Sequence, residues 1–266
     1  MKYIIFSFDD GRKDNYEVAY HLLQKYGFTA SFHIITGLVD GTMDKHVNEY
    51  FSSTEGMSVD NVMEMCQQGF DISSHGDKHL NEENDLYTSL LKLRSWNLSI
   101  VNYNLFSSPC SEIRLKNIHH YASMLHKNNI KFVRSGNPVR TNGLIYIGLY
   151  VLMQLLKSKR LFYFLSKRNV MQVNKFCTNS DIPDINIIKA TGVKCWHTIG
   201  MLKYFIKRLL DGQVAVFMFH GIMPENEKKN SWVFSAEKFE RLLIFLNNEP
   251  NTKIININEY INIVNS

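Results

Sequence analysis

The chain opens with Lys2-Tyr3-Ile4-Ile5-Phe6-Ser7-Phe8-Asp9-Asp10-Gly11. Apolar side chains at Ile4, Ile5, Phe6 and Phe8 read as a buried strand, and that strand runs without a break into two adjacent carboxylates and a glycine. Neighbouring carboxylates at the end of a buried strand repel each other, so a fold that places them there must supply a cation or a proton. Gly11 permits a sharp backbone turn, through which both side chains can face one cavity although strand neighbours normally point apart. An Asp-Asp-Gly turn in solvent is the plainer reading of the same residues. The remainder of the chain decides between them.

Beyond Gly11, Asp14 to Tyr26 carries helical spacing (Val18, Leu22, Tyr26) closed by Gly27, and Phe28 to Ile35 is a second strand. Such strand-helix-strand units build parallel sheets. His33, among apolar neighbours, reads as a satisfied core residue. Asp40 to Thr54 reads as a polar, irregular loop at one end of the sheet. Val59 to Gln68 is helical and stops at Gly69. The next stretch, Phe70-Asp71-Ile72-Ser73-Ser74-His75-Gly76-Asp77-Lys78-His79, is a short strand that delivers two histidines four residues apart. On a helical turn that spacing puts both imidazoles on one face, able to chelate one ion. Strand ends in α/β barrels share a rim, so an Asp from the first strand can join them as a third ligand. Further strands are expected at Leu105–Cys110, Lys131–Arg134, Gln213–Phe219 (ending in His220) and Ile254–Ile257. Helices are expected at Glu82–Val101, Ile118–Asn128, Ile199–Leu210, Ala236–Leu246 and Glu259–Val264. His119, His120 and His126 read as surface residues.

With 266 residues, 45% of them hydrophobic, and no linker-like, repetitive or low-complexity stretch, residues 1–266 read as one α/β domain. The four cysteines (Cys66, Cys110, Cys177, Cys195) form no C-x-x-C pair, which argues against zinc-ribbon and thiol-redox functions and leaves buried free thiols as the expectation. The strand starting at residue 2 leaves no room for an export signal, so a cytoplasmic location with reduced thiols is expected. Net charge is +5, unevenly placed: Ile113 through Ser180 holds 12 Lys or Arg and no acid, against a net of −7 elsewhere. Within that segment, Leu144 to Leu156 is an apolar run of thirteen positions followed by Lys157, Lys159 and Arg160. It falls short of the about 20 residues a bilayer span needs. A buried core helix and a helix lying in a membrane interface both fit it, and residues 140–175 read as a basic, apolar insertion. No aromatic-basic recognition motif supports nucleic-acid binding.

Asp9-Asp10, His75 with His79, and His220 together resemble the polysaccharide deacetylase family, the fourth family of carbohydrate esterases. Phe8 to Gly11 matches the family's Phe-Asp-Asp-Gly. Gly69 to His79 matches its second motif, with Asp71 for a Glu and Ser73 for a Gly, and Phe217 to His220 matches its last. The resemblance implies a distorted (β/α) barrel of about seven strand-helix units. It further implies Asp10, His75 and His79 as metal ligands, Asp9 as general base and His220 as general acid, with Pro109, Cys110 (through its backbone N–H) and Trp196 at the substrate. The metal implied is zinc, with cobalt or nickel as alternatives. The reaction implied is removal of an N-acetyl or N-formyl group from an amino sugar, in a polysaccharide or a glycan-biosynthesis intermediate. The charge pattern would suit a lipid-phosphate-linked sugar, or an anionic membrane surface at the inner face. Two departures stand out. The Arg expected before Pro109 is missing, with Arg114 and Arg134 as candidates to replace it, and Asp181, Asp184 and Trp196 only loosely echo the fourth motif. A decayed deacetylase that holds sugar without cleaving it is the alternative.

Overall fold

The computed structural model describes residues 1–44, 49–137, 143–156, 174–175, 178–180, 182–227 and 230–265. Seven strands, β1 (Lys2–Phe8), β2 (Ser31–Ile34), β3 (Asp71–Ser74), β4 (Val101–Ser107), β5 (Phe132–Asn137), β6 (Asn186–Gly192) and β7 (Gln213–Phe219), pair in parallel in that order. β7 returns to β1 from Tyr3↔Val214 through Phe8↔Phe219 and closes the ring. This is the distorted (β/α) barrel of seven units expected from the motifs. Of the short strands outside the ring, Thr252–Ile254 lies against the first half of β1.

One stave differs from the sequence reading, which counted Ile254–Ile257 and overlooked Asn186–Gly192. The overlooked strand reads Asn-Ile-Ile-Lys-Ala-Thr-Gly, with only two large apolar side chains in a row, and its buried positions include Ala190, Thr191 and Gly192. Small residues suit a crowded barrel wall but leave no hydrophobic signature. β4 begins at Val101, because the preceding helix stops at Ser95 instead of running on. The helix after Asp14 starts with a π turn, Asn15–Tyr20, before settling into α geometry at His21–Lys25.

Alternation along β1 divides the protein into layers. Ile4, Phe6 and Phe8 face outward into the largest core cluster, where Phe8 stacks between Phe32 and Phe219 at 4.9 and 5.4 Å. Ile5, Ser7 and Asp9 face the barrel interior. Ile5 joins Leu105, Ile188 and Val216 in an apolar floor. Above it, His33 lies between the hydroxyls of Ser7 (2.8 Å) and Ser73 (2.6 Å), the satisfied core histidine anticipated. The interior therefore becomes polar toward the carboxyl ends of its strands, which is where chemistry collects in parallel barrels.

The helix Gly143–Leu156 is not a buried core helix. Leu149 and Tyr150 pack against the main core, while Leu144, Ile147, Val151, Leu152, Leu155 and Leu156 are exposed. The rest of the 140–175 insertion lies outside the described residues, apart from 174–175. No helix among the described residues is long and apolar enough to cross a membrane.

At the opposite end from the polar rim, Asp71 is fully buried. Ser31 donates to its Oδ2 at 2.9 Å, and its Oδ1 has no hydrogen-bond partner among the described residues. Burial raises its pKa to about 7. A carboxyl whose folded pKa lies above its unfolded value favours folding when protonated, so that stability is lost as pH rises from about 4 through about 7. Asp71→Asn should therefore flatten the pH dependence of unfolding. The stability difference between pH 5 and pH 8 should shrink by on the order of 2 kcal/mol in urea melts. Parallel wild-type and variant curves would show that Asp71 stays ionised in the folded protein.

Candidate active site

Asp9 and Asp10 arrive at the rim because β1 ends at Phe8 and the backbone turns at once. Asp10 and Gly11 both adopt left-handed conformations, φ 77° and 74°. The turn is held by Asp9 N–H donating to Phe219 O (2.9 Å) and Asn15 Nδ2 donating to Asp9 O (3.1 Å). Both carboxylates are buried, and they are treated differently. Asp9 Oδ1 accepts a hydrogen bond from Arg134 Nη2, and the same guanidinium nitrogen donates to Ser107 Oγ. Burial alone would push Asp9 upward, yet Arg134, with His220 and His33 assisting, holds it below the usual carboxylate value. Asp10 has no such partner. Tyr50 donates to its Oδ2 at 2.9 Å, but burial and the Asp9 charge raise it to about 7.

Of the two arginines the sequence offered, the one that pairs with Asp9 is Arg134, on β5 opposite Ser107 of β4. Arg114 instead donates to Ser111 O. The guanidinium of Arg134 is fully buried, a costly arrangement that a paired carboxylate offsets.

His75 and His79 are brought together as expected, though not on a helical turn. Residues 75–80 form a loop, with Gly76 at φ 84° and His79 at φ 64°. Asp85 pins that loop by accepting from the backbone N–H groups of Asp77 (3.1 Å), Lys78 (2.7 Å) and Leu80 (3.1 Å). His75 Nδ1 bonds Ser107 O at 2.8 Å, which leaves Nε2 as the lone-pair nitrogen facing Asp10 Oδ1 (3.6 Å) and Asp9 Oδ2 (3.9 Å). Burial, with His79 next, drives His75 well below its ordinary pKa, and burial takes His79 to about 4. Both imidazoles are neutral at physiological pH. Ligand atoms of Asp10, His75 and His79 all lie within 4.8 Å of one another. Two neutral imidazoles and a carboxylate in need of positive charge fit a divalent ion such as zinc, and a backbone carbonyl fixing the His75 tautomer is the usual outer support.

His220, at the end of β7, completes the rim. Its Nε2 lies 4.0 Å from Asp9 Oδ2, and its Nδ1 has no hydrogen-bond partner among the described residues. Asp184, from the loosely matched fourth motif, is exposed at a turn, and Asp181 lies outside the described residues. Burial lowers His220 to about 4, the Asp9 charge opposing.

These groups line a cavity of about 320 Å³, whose walls include Tyr50, Phe51, Cys110 and Trp232. Cys110 is exposed at this rim, not a buried thiol, and holds φ 53° after Pro109. Trp196 does not line the cavity. It stacks on His197 with centroids 3.9 Å apart, and the indole in the cavity is Trp232, 4.5 Å from the His220 ring with Lys194 Nζ 3.8 Å above it. Pro109 sits behind the wall: its carbonyl accepts from Asn81, and it does not line the cavity itself. Tyr50 and Trp232 escaped the sequence reading because a four-residue helix and a turn carry no periodicity. Arg134 was one of two arginines the sequence offered for this place, with nothing in the sequence to choose it over Arg114.

Known proteins similar to this chain share a closed parallel barrel of the same kind. The polysaccharide deacetylase family model matches residues 1–99. The relative YxkH of Bacillus subtilis (strain 168), which carries a polysaccharide deacetylase name, is 35% identical over 79 residues, spanning 30% of this chain and 24% of that protein. Among solved structures, a polysaccharide deacetylase-type protein of Mycobacterium smegmatis aligns over 99% of this chain and 90% of its own, at 9% identity and TM-score 0.59. A family 4 acetyl xylan esterase of Clostridium thermocellum, solved with a cobalt ion, aligns over 98% and 91%, at 14% identity and TM-score 0.50. A 4-alpha-glucanotransferase of Thermococcus litoralis aligns over 98% of this chain but 40% of its own, at 12% identity and TM-score 0.58. The first 99 residues are thus similar to the polysaccharide deacetylase family, and over nearly its whole length the chain shares the fold of these solved barrels.

The Arg134–Asp9 pair has a testable energetic signature. Removing one partner of a buried pair strands the other charge, at a cost of about 3–5 kcal/mol. Arg134→Met should lose stability on that scale, and adding Asp9→Asn should recover much of it in a double-mutant cycle. Additive losses would show that the two groups are not coupled.

Proposed function

We propose that the protein is a metal-dependent hydrolase that removes an N-acetyl or N-formyl group from an amino sugar, in a polysaccharide or a glycan-biosynthesis intermediate. The observation that carries this reading is the grouping of Asp10, His75 and His79 beside an arginine-paired Asp9 and within reach of His220. Asp10, His75 and His79 would hold the ion, zinc or alternatively cobalt or nickel, and the cobalt in the Clostridium thermocellum esterase supports a divalent ion. A bound divalent ion lowers the pKa of water toward about 7 and polarises a carbonyl.

The protein's own groups supply the rest. Arg134 occupies Asp9 Oδ1 and keeps the carboxylate charged, so Oδ2 is left to accept the proton of an attacking water. His220, across from Asp9, would donate to the departing nitrogen. The backbone N–H of Cys110, at a left-handed turn on the cavity rim, would serve as oxyanion donor. Trp232, Tyr50 and Phe51 would form the apolar walls against a sugar ring, in a cavity at the lower end of the ordinary ligand range of about 300–1,000 Å³. A second reading, a sugar-binding relic, is favoured by one observation, that His220 Nδ1 lacks the carboxylate that would raise its basicity.

Acetate release from acetylated amino-sugar oligomers, with zinc or cobalt supplied, tests the proposal. Wild-type protein should release acetate, and Asp9→Asn and His220→Ala should each reduce kcat by on the order of 10²–10⁴. Saturable oligomer binding with no release of acetate or formate would support the relic.

A further inference from the structure

Helix Gly143–Leu156 has no charged residue in fourteen positions. Among its described side chains, Leu149 and Tyr150 anchor it to the main core. Tyr150 packs edge-on to Tyr204 at 6.0 Å, and Gln154 Nε2 donates to the Tyr150 hydroxyl at 2.9 Å. The Gln154 bond stays within the helix and steadies Tyr150, and the exposed set lies away from Leu149 and Tyr150. Leu144 is 74% exposed and Leu155 75%, with Ile147, Val151, Leu152 and Leu156 between 41% and 56%. Those six account for half of the twelve large hydrophobic side chains exposed among the described residues, so the apolar surface is concentrated here.

Charge selects what covers it. The helix lies inside the 68-residue stretch from Ile113 to Ser180 that has 12 Lys or Arg and no acid, and the sequence after it continues Lys157, Lys159, Arg160, Lys167, Arg168. Arg208, 5.0 Å over the ring of Tyr204, brings a further cation near the anchoring face. Two copies meeting through this face would set like charges against each other. An apolar stripe too short to span a bilayer and flanked by cations matches the acyl-headgroup boundary of an anionic membrane. The position is also informative. Tyr150 Oη lies 3.0 Å from where a Cβ on Gly200 would stand, at the start of the helix that follows β6. The apolar stripe is thus at the end of the barrel that carries Asp10 and His220.

We propose that helix Gly143–Leu156 docks the protein on anionic phospholipid, with its leucine face in the interface and the active-site end of the barrel close to the membrane. This stands independently of the deacetylase reading, since it rests on a different face of the molecule.

Vesicle flotation tests it, using phosphatidylcholine vesicles with and without phosphatidylglycerol. Wild-type protein should float with the mixed vesicles, stay down with phosphatidylcholine alone, and be released by salt. Leu144→Asn/Val151→Asn/Leu155→Asn changes only exposed side chains. It should keep the wild-type melting transition and cut the bound fraction at least about tenfold. Wild-type protein remaining unbound to the mixed vesicles would overturn the proposal, as would undiminished flotation of the folded variant. Lipid-free dimerisation lost in the same variant would overturn it in favour of a second copy. Acetate release from soluble oligomers should be unchanged in the variant, so a failed flotation leaves the catalytic reading intact.

Discussion

Two carboxylates on consecutive residues at the end of a buried strand cannot both be charged without positive charge beside them, and the molecule resolves this unequally. Asp9 has a permanent countercharge, the fully buried Arg134, which crosses from β5 to reach it. Asp10 has a tyrosine hydroxyl and the charge of Arg12, itself paired with Asp14, and these do not offset burial and the Asp9 charge, which raise it to about 7. Neutral histidines beside it offer lone pairs instead of positive charge. The site therefore pairs a carboxylate fixed in its ionised form with one whose countercharge must come from outside. Electrostatics of that kind separate a proton acceptor from a metal ligand although the two residues are neighbours in sequence.

The surrounding fold serves this division. β1 carries the pair, β3 and its Asp85-pinned loop carry the histidines, β4 supplies Ser107 to both Arg134 and His75, and β7 ends at His220. Closure of the ring through β7 and β1 is what puts the first and last motifs side by side, more than two hundred residues apart in the chain. The same barrel in a glucanotransferase shows that architecture alone does not choose the reaction.

Much of this was legible in the residues. β1 and β7 have dense apolar patterns that end abruptly in polar groups, so both the strands and their functional ends could be read, whereas the short strand before His75 showed only Phe70 and Ile72 leading into small residues. Asn186–Gly192 could not, because its small side chains fit the barrel wall without a periodic signal. Arg134 was recognisable only as a candidate: an arginine inside a short strand means little until Ser107 and Asp9 are seen around it. Trp196 follows Asp181 and Asp184 in the order of the family's fourth motif, whereas packing sends Trp196 onto His197 and Trp232 into the cavity. Tyr50 lies in a loop whose polarity hides a short helix, Glu49–Ser52, that aims the hydroxyl at Asp10. Exposure of the Gly143–Leu156 face is likewise a tertiary fact, since the apolar run alone fits a core as well as an interface.

The account turns on Asp10, His75 and His79 forming one divalent-cation site. Elemental analysis of protein purified without chelator and then supplied with zinc, alongside His75→Ala/His79→Ala, tests this most directly. The expected result is close to one divalent ion per chain in the wild-type protein and none in the double variant. No ion in either protein after zinc is supplied would contradict the account and leave the rim a cluster of buried polar groups without a metal.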